Sequence, residues 1–419
     1  MSAVAVAKQD RTFLGINGKS AATSEAKSGK STVDEVAMAR RRAERYEFQA
    51  EARRLLPGFK ALGECHRNVH YRDVAPGVDI RLNLETGKAH FTNVITCHSV
   101  WACPICAHKI TEERRAELQA AINAHAIAGG RVALLTLTFP HELHAPLADL
   151  LKDFSSALSS FWSYRATKNI LEQSGWIGSV RAMEVTHGRN GWHPHVHVLL
   201  FIGQDETEAL MVLEHLRDWW GKAVAKAGLG QVNEHGFDVR GGDKAADYVA
   251  KYGHEPQETG WTAAHELTKA PVKQGRAKDS RTPFGLLRDS MNGDMEAGAA
   301  FVEYANAFKG KRQLFWSPKL REKLGVGQER TDEEIAADAD VNVPAMETVG
   351  TLNKDQWRTV LEYNARGQVL IMAERHGWNG VLWLLEDLRR RPPREAGDFS
   401  FVAVMMRGGK LAERIALAA

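Results

Sequence analysis

Trp192–Ile202 opens with a histidine at every second position and then turns wholly apolar. Side chains on a strand alternate between faces, so His193, His195 and His197 share one side of it. Val196, Val198, Leu200 and Ile202 share the other, where a covering layer can bury them. This predicts a central strand of a sheet with a polar cluster near one end. Upstream, Gly178–Thr186 predicts a second strand, and His187–Gly191 supplies the glycine and asparagine of a tight hairpin. With Arg189-Asn190 as the two-residue loop, Glu184 faces His195; with Asn190-Gly191 it faces His197. Either register puts the carboxylate on the histidine face, since 195 and 197 have the same parity.

Elsewhere the pattern is mostly helical. Residues 1–35 are rich in Ala, Ser, Lys and Gly without apolar periodicity and read as a disordered tail. A helix is predicted from Val36 to about Leu56, followed by one over Thr111–Ala128 that Gly129-Gly130 stops. Arg131–Phe139 reads as a buried strand ended by Pro140, and Leu147 to about Ser174 as a helix with Phe154, Leu158, Phe161 and Trp162 at core spacing. A helix from about Glu206 to Gly228 and a short segment Val232–Val239 come next. Asp243 and Gly253 then frame a short helix as its N-cap and its C-terminal stop. Past Leu352 the pattern is helical again, with Trp357, Val360, Leu361, Trp378, Val381, Leu382 and Leu385 as apolar positions. The expected organisation is a tail (1–35), a basic helix with a cysteine-rich module (36–125) and a catalytic core (126–260). A basic extension (261–327), an acidic linker (328–350) and a helical C-terminal region (351–419) follow. A hairpin and a buried strand among helices make the expected fold class α+β.

Composition changes this picture little. A chain of 419 residues with 44% hydrophobic and 26% charged residues suits an ordinary globular protein with ample core. The net charge of +3 says nothing about a polyanionic partner; its distribution says more. Residues 37–60 hold seven Lys or Arg against three Glu, and 269–288 hold Lys269, Lys273, Arg276, Lys278, Arg281 and Arg288 against Asp279 alone. A solvated helix face and a phosphate contact are both open for the first basic stretch. The second stretch reads as a basic loop on DNA phosphates or as a solvated linker. No run approaches a membrane span and no signal pattern opens the chain, so a cytoplasmic location is expected.

In that compartment the four cysteines are reduced, which favours a metal site over disulfides. Cys97, Cys103 and Cys106 cluster, with CxxC spacing between the last two, and Cys65 completes four thiolates for a tetrahedral structural zinc. His66, His98 and His108 are substitutes within reach in sequence. A glutamate facing two histidines is a different kind of site. It offers three ligands to a divalent cation such as Mg²⁺ or Mn²⁺ and leaves positions open for substrate. Further on, Tyr248 and Tyr252 sit four apart on one helical face flanked by Lys244 and Lys251. A tyrosine hydroxyl is a poor nucleophile at neutral pH. Near a cation that polarises a phosphodiester, and a lysine that offsets developing charge, its attack becomes feasible. The products would be a 5′-phosphotyrosine and a free 3′-hydroxyl.

Leu134–Thr138, His193-Pro194-His195-Val196-His197 and Tyr248-Val249-Ala250-Lys251-Tyr252 resemble the three ordered motifs of HUH endonucleases. With Cys103–Cys106 upstream and Arg281-Thr282-Pro283-Phe284 and Trp316-Ser317-Pro318 downstream, the chain resembles plasmid rolling-circle replication initiators in particular, over roughly residues 60–325. The resemblance implies a small antiparallel sheet backed by helices, Mg²⁺ or Mn²⁺ at the histidine pair, and site-specific nicking at a plasmid origin. Host helicase and polymerase are the implied partners. It assigns Tyr252 as nucleophile and places Tyr248 where several relatives carry a glutamate. That tyrosine is shared with two-tyrosine phage initiators and some transposases. Two rival readings stand beside it: a transposase of the same chemistry, and a zinc-bearing DNA-binding regulator that cleaves nothing.

Overall fold

The computed structural model describes residues 32–70, 77–141, 143–242, 280–338 and 346–391. The short helix predicted over 243–253, with Tyr248, Lys251 and Tyr252, lies outside the described residues, as does most of the basic stretch 269–288.

A five-stranded antiparallel sheet has the order β6-β3-β5-β4-β7, built from β3 (Arg131–Thr138), β4 (Gly178–Gly188), β5 (Gly191–Ile202), β6 (Phe237–Gly241) and β7 (Leu314–Trp316). The histidine strand β5 is therefore central. Arg189-Asn190 is the hairpin link, with Gly188 opposite Gly191. Gly191 has φ +80°, a left-handed conformation that costs glycine little. The pairing is the first of the two predicted registers, with Glu184 opposite His195.

Period two gives the sheet two covers. Val196, Val198, Leu200 and Ile202 pack in one cluster with Phe154 and Phe161 of α4 (Leu147–Ser163) and Trp220 of α7 (Leu216–Lys226). Each of these aromatics removes roughly 150–250 Å² from water, on the order of 4–6 kcal/mol before ordering costs. Leu199 and Phe201, on the histidine face, pack with Leu118 and Ala121 of α3 (Pro104–Ile127). Helix α3 begins before the predicted Thr111. Pro104 supplies its first turn, and Cys103 and Cys106 straddle its N-terminus. The single helices predicted over 147–174 and 206–228 are each two. Tyr164, extended at φ −60° and ψ 133°, separates α4 from α5 (Arg165–Gln173), and His215 separates α6 (Glu206–Glu214) from α7.

Part of the stretch expected to be a basic loop is helix α8 (Pro283–Met291), capped by Thr282, with Phe284, Leu286 and Leu287 buried. It leads into α9 (Met295–Phe308), whose Phe301, Tyr304 and Phe308 join the α4–α7 cluster. Beyond β7, α10 (Leu320–Lys323) and α11 (Asp332–Asp338) precede β8 (Met346–Leu352). Strand β8, which crosses the end of the expected linker, pairs with β1 (Val78–Asn83), which pairs with β2 (Lys88–Thr92). Helices α12 (Lys354–Glu362) and α13 (Arg366–Arg389) pack on this three-stranded sheet in a core of their own with Tyr46 of α1 (Thr32–Leu55). The first and last helices among the described residues thus share one core. No helix among the described residues is long and apolar enough to cross a membrane.

Candidate metal centres and the replication family

Glu184, His195 and His197 come together because β4 and β5 are paired in the hairpin register. The Nε2 atoms of His195 and His197 lie 3.3 and 3.1 Å from the same Glu184 oxygen, Oε2. Cation–ligand bonds of about 2.1 Å put neighbouring octahedral ligands about 3.0 Å apart, so the trio fits a divalent cation closely. Glu184 and His197 are buried and His195 is partly open, which leaves a side for substrate. Strand β3 contributes support: Thr136 is opposite His197, and its Oγ1 lies 3.0 Å from His197 Nδ1. With Nδ1–H donating to that hydroxyl, Nε2 keeps its lone pair for a cation. Thr138 Oγ1 donates to Pro194 O at 3.0 Å, and the Trp220 indole N–H donates to Thr138 O at 2.9 Å.

His193 shares this face but stands apart from the trio. Its Nδ1 is 3.1 Å from Nε2 of His141, which follows β3. Burial, reinforced by His195 and His141, lowers the His193 pKa to about 4, so it is neutral at physiological pH. The motifs downstream brace the sheet. Arg281 bridges His187 in the hairpin, and Ser317 Oγ accepts from Ser179 N at 2.9 Å, tying β7 to β4.

The four cysteines form the second centre. All are free thiols, and Sγ–Sγ distances are 3.7 Å for Cys65–Cys103, 3.6 Å for Cys65–Cys106 and 3.7 Å for Cys97–Cys106. A disulfide requires about 2.05 Å. Four sulfurs at about 2.3 Å from a tetrahedral zinc stand about 3.8 Å apart, which these separations match. Burial alone would raise Cys103, but hydrogen bonds from Cys106, Cys65 and Cys97 outweigh it and hold Cys103 well below the usual thiol range. Cys65 and Cys97, bonded first of all to Cys103, are pushed up. Gln49 Nε2 donates to Cys103 Sγ at 3.4 Å, and the Cys97 backbone N–H to Cys65 Sγ at 3.4 Å. With four sulfurs in place, none of His66, His98 and His108 belongs to the cluster.

Residues 88–369 match the model of the replication protein (Rep_1) family. The chain belongs to the replication protein family. Protein rep of Streptomyces lividans is 29% identical over 339 residues, covering 64% of this chain and 73% of that one. A neomycin resistance protein of Streptomyces cyanogenus is 27% identical over 142 residues, 28% of this chain and 32% of that one. Membership bears out the resemblance to plasmid replication initiators and favours it over the transposase reading. The match to the replication protein family spans β2 to the start of α13, so it takes in the whole five-stranded sheet and both clusters except Cys65.

Several residues that build this replication protein's sites were not assigned a role from the sequence. Thr136 was visible as part of a motif, but its partner depends on β3–β5 pairing. Gln49 and Arg366 carried no signal. Arg366 is fully buried and donates to Gln49 Oε1 at 2.7 Å and His66 O at 3.1 Å, while its guanidinium lies 4.8 Å from the Tyr46 ring centre. It thus supports the cysteine cluster from 260 residues or more away in sequence.

Proposed function

We propose that this replication protein initiates rolling-circle plasmid replication by nicking and rejoining one strand of origin DNA through a 5′-phosphotyrosine. The observation that carries this reading is the Glu184–His195–His197 cluster on the central strand β5 and its neighbour β4. A bound Mg²⁺ or Mn²⁺ would polarise the scissile phosphodiester there. Glu184, His195 and His197 would hold the cation, and the Thr136 hydroxyl would fix the His197 ring. The Tyr252 hydroxyl gives its proton to solvent and attacks phosphorus, forming the Tyr–O–P bond as the bond to the 3′-oxygen breaks and that oxygen takes a proton from solvent to become the free 3′-hydroxyl. Lys251 offsets the charge that develops. Tyr248, one helical turn from Tyr252 in the sequence pattern, performs the second attack that releases a unit-length circle. The four cysteines hold a structural zinc, which has no open position for chemistry. Origin DNA is the partner, with host helicase and polymerase extending the free 3′-hydroxyl.

The test is an origin oligonucleotide labelled 3′ to the nick, incubated with Mn²⁺ and followed by peptide mapping. The label is expected on Tyr252, and Tyr252→Phe removes the first adduct. Tyr248→Phe still nicks but accumulates stalled adducts. His195→Ala or His197→Ala abolishes nicking while DNA binding persists. Normal nicking by both histidine variants would sink the active-site assignment. DNA binding without cleavage under any divalent cation would favour the regulator reading.

A further inference from the structure

The cysteine module forms one wall of a cavity that the nicking chemistry does not use. The cavity holds about 720 Å³ between Gly58–Leu62, Cys97–Trp101, Lys309–Gln313 and Glu329–Glu333. Six basic residues line it (Lys60, Arg114, Lys309, Lys311, Arg312, Arg330) against three acids. Two of the acids are neutralised within the wall. Asp332 is 2.6 Å from Arg114, and Glu329 lies between Arg114 at 3.7 Å and Arg312 at 3.8 Å. Arg330 pairs with Glu113 at 3.1 Å. Lys60, Lys309 and Lys311 are exposed, and none has a carboxylate at ion-pair distance among the described residues. Lys309 instead lies 4.9 Å from the centre of the Phe59 ring.

The Lys309-Gly310-Lys311-Arg312 turn is also held in place. Gly310 takes φ +74°, the Lys311 N–H donates to Phe308 O at 3.0 Å, and Lys311 O accepts the Trp101 indole N–H at 2.6 Å. Trp101 is nearly buried, between Cys97 and Cys103, and its ring packs on Phe308 at 4.6 Å. The backbone of this basic turn is thus held in place by a buried tryptophan, so binding a phosphate has to order only the exposed lysine side chains, at about 0.5–1.5 kcal/mol each.

We propose that this cavity is a second nucleic-acid site, which binds the sugar–phosphate backbone of single-stranded DNA through Lys60, Lys309 and Lys311. A duplex is too stiff and wide to enter a concavity of this volume, whereas a single strand can bend a nucleotide or two into it. The inference relies on the replication reading for a single strand to be present, and not on the chemistry at Glu184.

The experiment measures fluorescence anisotropy of a labelled oligo-dT across a salt series, with full-length protein and no added Mg²⁺ or Mn²⁺. Failure of the nicking reading would leave this measurement untouched. Losing three phosphate contacts on a single strand should reduce the slope of log K against log[salt] by about 2. We expect that change for Lys60→Gln/Lys309→Gln/Lys311→Gln, with at least a tenfold loss of affinity at low salt. The matching triple arginine variant should restore the wild-type slope. A control triple, Lys152→Gln/Lys168→Gln/Lys226→Gln, removes the same charge from exposed sites on α4, α5 and α7 and should leave the slope as it was. Should the first triple fail to fold, Lys311→Gln alone is expected to lower the slope by about 0.7. An unchanged slope, an equal fall in the control triple, or an equal loss on duplex DNA would overturn the proposal.

Discussion

Replacing Thr136 by Val tests the metal reading without touching any ligand. The two side chains have nearly the same shape and both suit a strand, so β3 keeps its pairing with β5 and β6. What is lost is the hydroxyl 3.0 Å from His197 Nδ1. The ring is 5% exposed, so water cannot readily replace the lost partner. An unsatisfied buried donor costs about 1–3 kcal/mol, and the ring can recover some of it by moving its proton to Nε2, the wrong atom for a cation. Partners of this kind are typically worth 10–100-fold in metal affinity, or about 1.4–2.7 kcal/mol. The two routes to a magnitude agree. Nicking measured against Mn²⁺ concentration should therefore shift 10–100-fold to higher metal, with the plateau restored at saturation because every ligand remains. Thr138→Val is the comparison. Its Oγ1 bonds Pro194 O and lies 3.5 Å from His193 Nε2, not within the trio, so its metal curve should stay with wild type. A Thr136→Val midpoint within twofold of wild type would refute the role of His197 as an oriented ligand.

The purified protein should carry about one zinc per chain by elemental analysis, and Cys103→Ser should release it and lower the melting temperature; zinc-free protein with an unchanged melting curve would count against the cluster. Arg366→Met keeps the stem but leaves Gln49 Oε1, His66 O and Asn364 Oδ1 without its donors. A loss of about 3 kcal/mol is expected in urea unfolding, and a loss under 1 kcal/mol would show that the buried guanidinium is dispensable. His90 has its pKa lowered to about 4 by burial first, then by Lys109, Arg42 and Arg81. Unfolded, it titrates near 6.5, so protons bind the unfolded chain first as pH falls. Its contribution is fully present above about pH 6.5 and is lost progressively towards pH 4. Between pH 7 and pH 5, His90→Gln should lose less stability than wild type, and equal losses would exclude His90 as a source of the acid sensitivity.

Period-two alternation was enough to place His195, His197 and Glu184 on one face, because the parity of a hairpin holds whichever link closes it. Local spacing likewise grouped Cys97, Cys103 and Cys106, and the ordered motifs pointed to a replication initiator. Local pattern could not choose the hairpin register. A left-handed Gly191 suits either link, as the second residue of an Asn190-Gly191 loop or as the residue after Arg189-Asn190, so only the observed β4–β5 pairing decides. Nor could it find the break at Tyr164 or the early start of α3. In both, the apolar pattern runs on unbroken while the backbone decides where the helix begins or stops. Contacts across long sequence separations belonged to the tertiary structure alone. Thr136 meets His197 because β3 lies beside β5, and β8 meets β1 because an edge strand takes a partner from wherever the chain brings one. Arg366 reaches the cysteine cluster because α13 packs on α1. A residue's own neighbours report the face it occupies. What that face touches is decided by which apolar surfaces are buried against each other, and that is a property of the whole chain.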